Sequence, residues 1–160
     1  MLVLVLRLLR NRRYADTHGT PGDVVRRREE LLLERARDPI WEYVLSDEAA
    51  ITTLVLTEEP IVLVGHSHVA LQISMTDDSL EGAPAPPGTE LDVGTGRWLM
   101  NPGSVGQPRD GDPRAAYLLV DLDARTASFR RVDYDIERTQ REIREAGLPE
   151  ALAARLGAGL

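Results

Sequence analysis

The sequence contains no cysteine, and aromatic side chains make up only 4% of its residues. Without cysteine the chain has no disulfides, no thiolate metal ligands and no cysteine nucleophile, and it fits the reducing cytoplasm that we predict as its location. Lysine is absent as well, since all 19 basic residues are arginine, a bias that we attribute to a GC-rich coding sequence. With so few aromatic residues, aliphatic side chains must fill the core.

No run of apolar residues reaches the length of about 20 that is needed to span a membrane. Residues 1–9 are apolar apart from Arg7, and more arginines follow at once. This stretch also lacks the charged start and the cleavage site of a signal peptide. We expect a buried strand or a short helix there, with a weak membrane-surface role as the alternative.

The length and the charge of the chain limit the classes of protein to which it can belong. A chain of 160 residues suits one domain with a substantial core. The formal net charge of −7 argues against broad, non-specific binding of nucleic acid. We therefore predict neither a nucleic-acid partner nor a membrane partner.

Two of the three histidines stand one residue apart, directly after an apolar run, in the sequence Val-Leu-Val-Gly-His-Ser-His-Val of residues 62–69. A buried strand would bring His66 and His68 to one end of a sheet, and Gly65 would allow the backbone to turn sharply there. Neutral imidazole binds zinc, manganese, iron and other transition metals. Half of a metal site is one interpretation, and a pair of solvated or hydrogen-bonded loop histidines is the other.

A second distinctive segment has the sequence Asn-Pro-Gly-Ser-Val-Gly-Gln-Pro-Arg and covers residues 101–109. Its two prolines and two glycines exclude a continuous helix or strand, so we predict a shaped loop between strands. Loops at the ends of sheets are where functional sites are usually built. An ordinary turn is the alternative interpretation.

Periodicity and turn residues predict the other elements. Asp47 is expected to cap a helix through Leu54, and Asp23 is expected to cap a helix over residues 24–35. Residues 81–88 are rich in proline and glycine, which predicts a hairpin connection or an exposed loop. The predicted strands cover residues 61–64, 69–75, about 89–93, 97–100 and two strands within 116–133, and two short helices end the chain.

The two motifs, in this order and spacing, resemble the C-terminal part of the calcineurin-like metallophosphoesterases, in particular their small bacterial and archaeal single-domain branch. The resemblance covers about residues 37–157. It implies an α/β fold, here a partial two-sheet β-sandwich with flanking helices whose N-terminal half is truncated or divergent. We describe the chain as one domain over residues 1–160, with an atypical stretch at 1–36, a family-like core at 37–133 and a C-terminal helical tail at 134–160.

The same resemblance implies a site for two metal ions, with His66 serving one ion and His68 the other. The resemblance also implies four positions that shape the neighbouring loop without binding metal, namely Gly65, Asn101, Gly103 and Ser104.

Other metal ligands of complete family members have no clear counterpart. Asp16 and His18 spell the family's Asp-X-His motif, and a polar loop is the competing interpretation. Asp23 follows a glycine, as in the family's Gly-Asp motif, but it comes too soon after His18, so a turn with a helix cap is the simpler account. No carboxylate is identified as the bridge between metals, and the catalytic residues stay unassigned.

Three hypotheses about function follow. By resemblance, the protein hydrolyses phosphate mono- or diesters through a hydroxide activated by two metal ions, with manganese expected and iron, zinc, nickel or cobalt as alternatives. In the second hypothesis it is a truncated or divergent, catalytically impaired member that acts as a non-enzymatic metal-binding or interaction domain. In the third, it is a homo-oligomer that pairs exposed sheet edges. The phosphate ester that would be its substrate is not identified by the sequence.

Overall fold

The computed structural model of the protein describes residues 47–160. This part of the chain contains three helices and seven strands, in the order of one helix, seven strands and two helices. In chain order they are α1 (Asp47–Leu56), β1 (Ile61–Leu63), β2 (Ala70–Met75), β3 (Leu80–Pro84), β4 (Glu90–Asp92), β5 (Arg97–Pro102), β6 (Ala115–Asp121), β7 (Thr126–Val132), α2 (Ile136–Glu145) and α3 (Glu150–Ala158).

The strands form two sheets. Sheet A has the order β1-β5-β2-β3, in which β1 runs parallel to β5 and the other neighbours are antiparallel. Sheet B has the order β4-β7-β6 and is antiparallel throughout. β1 and β5 run in the same direction and β2 runs against them. The C-terminal ends of β1 and β5 and the N-terminal end of β2 therefore lie at the same end of sheet A.

Two apolar layers hold these elements together. Met100 and Phe129 are almost fully buried in the cluster that joins sheet A to sheet B. Side chains alternate along a strand, so Leu99 faces the other way and packs with Ile73 against Leu54 of α1. Sheet A is therefore covered by α1 on one face and by sheet B on the other.

The structure confirms the predicted fold class, an α/β arrangement of two sheets with flanking helices. Most predicted elements are present, with ends that differ by a few residues. The helix expected after Asp47 includes Asp47 and runs to Leu56, and β5 continues to Pro102. Asn101 therefore belongs to the end of a strand, although the sequence placed it in a loop.

The prediction for residues 81–88 was wrong in its first half. Most of that half is strand β3 (Leu80–Pro84), which pairs antiparallel with β2, and the connection to β4 begins only at Ala85. β3 is an edge strand of sheet A, so only one of its sides forms a ladder. An edge position tolerates Gly82 and Pro84, which would weaken a central strand.

The two short helices predicted at the end of the chain are α2 and α3. The side chain of Asp135 caps α2 by accepting a hydrogen bond of 2.8 Å from the backbone N–H of Arg138. Gln140 joins the helices by donating to the carbonyl of Ala153 at 2.9 Å. None of the helices within residues 47–160 is long and apolar enough to cross a membrane. The predictions for residues 1–9, 24–35 and Asp23 concern positions outside the described residues.

Candidate metal centre

The histidine pair lies at the end of sheet A where the ends of β1, β5 and β2 meet. The connection between β1 and β2 carries His66 and His68, and the long connection after β5 runs beside it. The backbone N–H of Val64 donates to the carbonyl of Met100 at 2.9 Å, which continues the pairing of β1 with β5 up to this turn. The strand order of sheet A thus brings the two sequence motifs together.

The sharp turn lies at the histidines themselves and not, as the sequence suggested, at Gly65. His66 and His68 have φ angles of 73° and 62°, in the left-handed region that non-glycine residues rarely adopt. Gly65 does not have a positive φ. Left-handed conformations of this kind cost of order 1–3 kcal/mol each and persist where surrounding contacts determine them. The turn therefore needs support from its neighbours.

Asn101 supplies part of that support. Its side chain is almost fully buried, and its amide donates to the Oγ of Ser67 at 2.8 Å and to the carbonyl of Gly65 at 3.2 Å. Its side-chain oxygen accepts from the backbone N–H of Gly103 at 3.0 Å. One amide group thus joins the histidine turn to the start of the loop that follows β5.

His68 is oriented by a backbone carbonyl. Its Nδ1 lies 2.8 Å from the carbonyl oxygen of Gln107. A carbonyl can only accept, so Nδ1 carries the hydrogen and the lone pair of the neutral ring is on Nε2. Burial lowers the pKa of His68, and the charge of Arg109 lowers the pKa further, against the hydrogen bond to Gln107, which raises it. The ring is thereby held in the neutral form that binds metal.

The loop after β5 approaches the start of β2 closely at Gly103. Its φ is 87°, and a Cβ at this position would lie 2.9 Å from the Cβ of Ala116 and 3.4 Å from that of Ala70. Ser104 follows, with its Oγ accepting from the backbone N–H of Gln107 at 2.9 Å and its carbonyl accepting from Ala116 at 2.9 Å. Gly103 and Ser104 thus fix the path of the segment that reaches Gln107.

The part of the chain that the structure describes brings together two candidate metal ligands, His66 and His68. Across residues 47–160, no group of three or more histidine or carboxylate side chains is placed to hold an ion. Asp16 and His18 fall outside these residues. The donor set that is present fits a metal: His68 presents Nε2 with its other ring nitrogen bound to a carbonyl, which is the usual arrangement of a metal-ligating histidine.

Four further residues at this site were not identified from the sequence. Ser67 and Gln107 contact the turn through a buried hydroxyl and a backbone carbonyl. Asp110 accepts a hydrogen bond from the backbone N–H of Ala70, and Arg131 of β7 forms an ion pair with Asp110. Ser67 and Gln107 lie within the two sequence motifs, but their contacts could not be read from them, and Asp110 and Arg131 lie outside both motifs.

Comparison with known proteins gives a consistent picture of what the chain is similar to. A family model described as the calcineurin-like phosphoesterase superfamily domain matches residues 9–125. The match includes most of the stretch at 1–36 that the sequence analysis treated as atypical. It also includes the histidine pair and the loop after β5.

Two individual proteins extend this comparison. An uncharacterised protein of Methanocaldococcus jannaschii is 37% identical over 122 residues, which is 75% of this chain and 46% of that protein. A crystal structure of a metallophosphoesterase from Sphaerobacter thermophilus matches with a TM-score of 0.70 and 46% identity, covering 78% of this chain and 52% of that one. This chain thus spans about half the length of the relatives it matches.

Proposed function

From the finding that this chain belongs to the calcineurin-like phosphoesterase superfamily, we propose that it is a metal-dependent hydrolase of phosphate mono- or diesters. The observation that carries the proposal is the orientation of His68, whose Nδ1 donates to the Gln107 carbonyl at 2.8 Å and leaves Nε2 for a ligand. The partly buried position of the ring at a junction of strand ends adds support.

In this proposal His66 and His68 each hold one of two divalent ions, and the remaining ligands come from residues outside the described range, with Asp16 and His18 as candidates. Divalent ions at such a site polarise the phosphoryl oxygens and lower the pKa of water. Manganese is the ion that we propose, and iron, zinc, nickel and cobalt are the alternatives that suit imidazole ligands. We also propose a cytoplasmic location, which the absence of cysteine supports.

The charges around His68 suit an anionic substrate. Besides burial, the positive charges of Arg109 and Arg155 lower the pKa of His68, so both guanidinium groups act on the region of the ring. The same positive potential attracts a phosphate group. Arg109 is anchored beside the ring, because its backbone N–H donates to the carbonyl of His68 at 3.1 Å and its guanidinium donates to the Gln107 side chain at 3.2 Å.

One observation favours a second candidate function. The described residues contain two of the ligands that a dinuclear site requires and no third one near them. A chain that binds metal through this pair without turnover would act as a metal-binding or interaction domain. The two functions differ in whether hydrolysis accompanies metal binding.

The deciding experiment measures hydrolysis of bis-p-nitrophenyl phosphate and p-nitrophenyl phosphate by the full chain with manganese. The wild type is compared with a His66→Ala/His68→Ala variant, and an Asp121→Ala/Asp123→Ala variant at the distant β6–β7 turn is the matched control. We expect the histidine variant to lose at least about 100-fold in kcat/KM, since metal ligands are removed, and the control to keep its activity.

Two other outcomes distinguish the alternatives. Manganese binding that depends on both histidines, without turnover of either ester, would support the non-enzymatic domain. A folded chain that binds no divalent ion would contradict both functions. If the wild type hydrolyses either ester, an Asp16→Ala/His18→Ala variant shows whether these residues complete the site. In that case their loss should reduce turnover as strongly as loss of the histidine pair.

A further inference from the structure

A short segment of the loop after β5 runs along the histidine turn and is joined to it by three hydrogen bonds. The Nδ1 of His68 donates to the carbonyl of Gln107 at 2.8 Å, and the backbone N–H of Arg109 donates to the carbonyl of His68 at 3.1 Å. Farther along, the backbone N–H of Ala70 donates to a carboxylate oxygen of Asp110 at 3.1 Å. The position of residues 107–110 therefore sets the position and orientation of His68.

Asp110 is itself held from the other sheet. The guanidinium of Arg131, on β7 of sheet B, forms an ion pair with the same carboxylate oxygen of Asp110 that accepts from Ala70. The Arg131 side chain is only 4% exposed and that of Asp110 is 16% exposed, so the pair is largely shielded from water. A shielded pair of this kind resists separation, because separation leaves a buried charge without a partner.

Other contacts leave Arg131 little freedom to move. Its Nη1 donates to the carbonyl of Asp112 at 2.6 Å and to the carbonyl of Arg114 at 3.1 Å. Its Nε lies 3.9 Å from the carboxylate of Asp112, which in turn pairs with Arg114 at 2.6 Å. The planar guanidinium thus holds the segment from Asp110 to Arg114 against sheet B.

We propose that the Asp110–Arg131 ion pair is a positioning device for the metal ligand His68, fixing the left-handed turn and the ring orientation through residues 107–110. This proposal rests on the proposed function for the role of His68 as a ligand. Neither Asp110 nor Arg131 touches the ion or the substrate in this account. Both act through the backbone that holds His68.

The neighbouring strand position offers a matched comparison. Arg130 also lies on β7 and pairs with the carboxylate of Glu90 at 2.5 Å, but this pair faces outward and is 36% and 57% exposed. The carboxylate of Glu90 accepts from Arg130 and Ser128, neither of which belongs to the histidine turn. Both ion pairs therefore join a carboxylate to a guanidinium group, but only the Asp110–Arg131 pair is connected to the histidine turn.

The first test measures manganese affinity of the full chain by calorimetry for Asp110→Asn and Arg131→Lys, with Glu90→Gln and Arg130→Lys as the matched controls. Asp110→Asn keeps one oxygen that can accept from Ala70 but removes the charge and replaces the other oxygen by an NH2 group. We expect each Asp110 or Arg131 variant to bind manganese about 10-fold more weakly, the usual effect of losing a residue that orients a ligand. We expect each control to stay within about twofold of the wild type, because exposed ion pairs contribute little.

The second test does not need a metal. The ¹⁵N chemical shifts of the His68 ring, assigned with a His68→Gln variant, report which nitrogen carries the hydrogen at about pH 8, where imidazole is neutral. We expect one fixed form with hydrogen on Nδ1 in the wild type and in both controls. In Asp110→Asn and Arg131→Lys we expect the two nitrogen shifts to converge, as the ring exchanges between its two neutral forms.

The two tests separate the failure of this proposal from the failure of the proposed function. If folded Asp110→Asn and Arg131→Lys keep the wild-type ring shifts, the positioning role is wrong, whatever metal the chain binds. If the wild type binds no manganese while the ring shifts converge in these variants, the positioning role stands and the metal function fails. If neither variant folds, as judged by circular dichroism, the pair has a general structural role and the proposal is overturned.

Discussion

Within residues 47–160, two turns place non-glycine residues in the left-handed region, and they are held in different ways. The site turn at residues 65–70 contains His66 and His68, with φ angles of 73° and 62°. The distal turn between β6 and β7 contains Arg125, with a φ of 54°. Four side-chain hydrogen bonds of the site turn join residues 34 to 40 positions apart, beside one local bond from the backbone N–H of Val69 to the Oγ of Ser67 at 3.4 Å.

The distal turn relies mainly on its own residues. The carboxylate of Asp121 accepts from the backbone N–H groups of Asp123 and Ala124 at 3.0 and 2.8 Å, and all three residues are exposed. Arg125 adds contacts only to the residues that follow β4. The comparison shows that the distal turn is closed mainly by its own side chains, whereas the strain of the site turn is held by distant buried groups, a feature that makes it the candidate functional site.

The largest expected effect is that of Gly103→Ala, which tests the support beneath the site turn. The new Cβ would lie 2.9 Å from Ala116, at a φ of 87°. Backbone strain and overpacking together should lower the free energy of unfolding by about 3 to 4 kcal/mol, measured by urea denaturation. Gly147→Ala is the control, because Gly147 has a φ of 69° but open space around it, and it should cost about 1 kcal/mol. Equal losses in the two variants would contradict this account of the packing.

The second prediction compares the side chains that close each turn. Asn101→Ala should lower the free energy of unfolding by about 2 kcal/mol, since it removes the two bonds that the buried amide donates to Ser67 and Gly65 and takes away the acceptor of the Gly103 N–H. Asp121→Ala in the distal turn should cost about 0.5 kcal/mol, because water replaces its bonds. Chemical denaturation of both variants measures the difference. A loss of similar size at the two positions would remove the distinction between the turns.

The third prediction concerns the stability of the protein at acid pH and tests the ion pairs beside the site turn. A hydrogen bond from Arg114 is the main cause that lowers the pKa of Asp112 from 3.8 to about 2. The unfolded chain takes up the proton first, so the contribution of Asp112 to stability is complete above pH 3.8 and is lost as the pH falls through about 2. The effect should be about 1 kcal/mol or less, since the Arg114 side chain is 41% exposed.

Denaturation of the wild type and of Asp112→Asn over this pH range measures the contribution. The stability difference between them should be largest near neutral pH and should shrink as the solution becomes more acidic. A difference that stays constant across the range would mean that the Asp112 carboxylate has no special environment in the folded chain.

The smallest expected effect is that of Arg125→Gly in the distal turn. Glycine adopts the left-handed conformation without a steric penalty, and the bond that Arg125 donates to Gly94 is long, at 3.3 Å, and exposed. The relief of backbone strain in the folded chain should outweigh the added conformational entropy of the unfolded chain. The free energy of unfolding should therefore rise by about 0.5 kcal/mol. Thermal denaturation checks the sign. A clear loss of stability would show that this turn, too, depends on contacts beyond its backbone.

The sequence predicted the features of the fold that depend on local patterns. The apolar patterns of β2, β6 and β7 and the two short helices that end the chain all lie within the reach of a short stretch of chain. β3 was missed because Gly82 and Pro84 are turn residues by composition, and only the strand order places them at a sheet edge where they are tolerated.

For the candidate site, the sequence identified the side chains but not what holds them. His66 and His68 are recognisable as a pair, and Gly103 as a residue that its loop requires. The sequence could not predict that His66 and His68, and not Gly65, adopt the left-handed conformation of the turn. That conformation depends on Asn101 and on residues 107–110. Arg131 lies 21 residues from Asp110 in another sheet, and its sequence position gives no sign of that contact.

The hydrogen bonds that span 34 to 40 residues also have a consequence for folding kinetics. Closing such long loops costs chain entropy before the contact forms, whereas the β6–β7 hairpin closes over a few residues. We therefore expect the hairpin to form early in folding and the histidine turn to form late. Substitutions at Asn101 or Asp110 should then accelerate unfolding while leaving the folding rate nearly unchanged. An ion bound at this turn would lengthen the lifetime of the folded chain without speeding its formation.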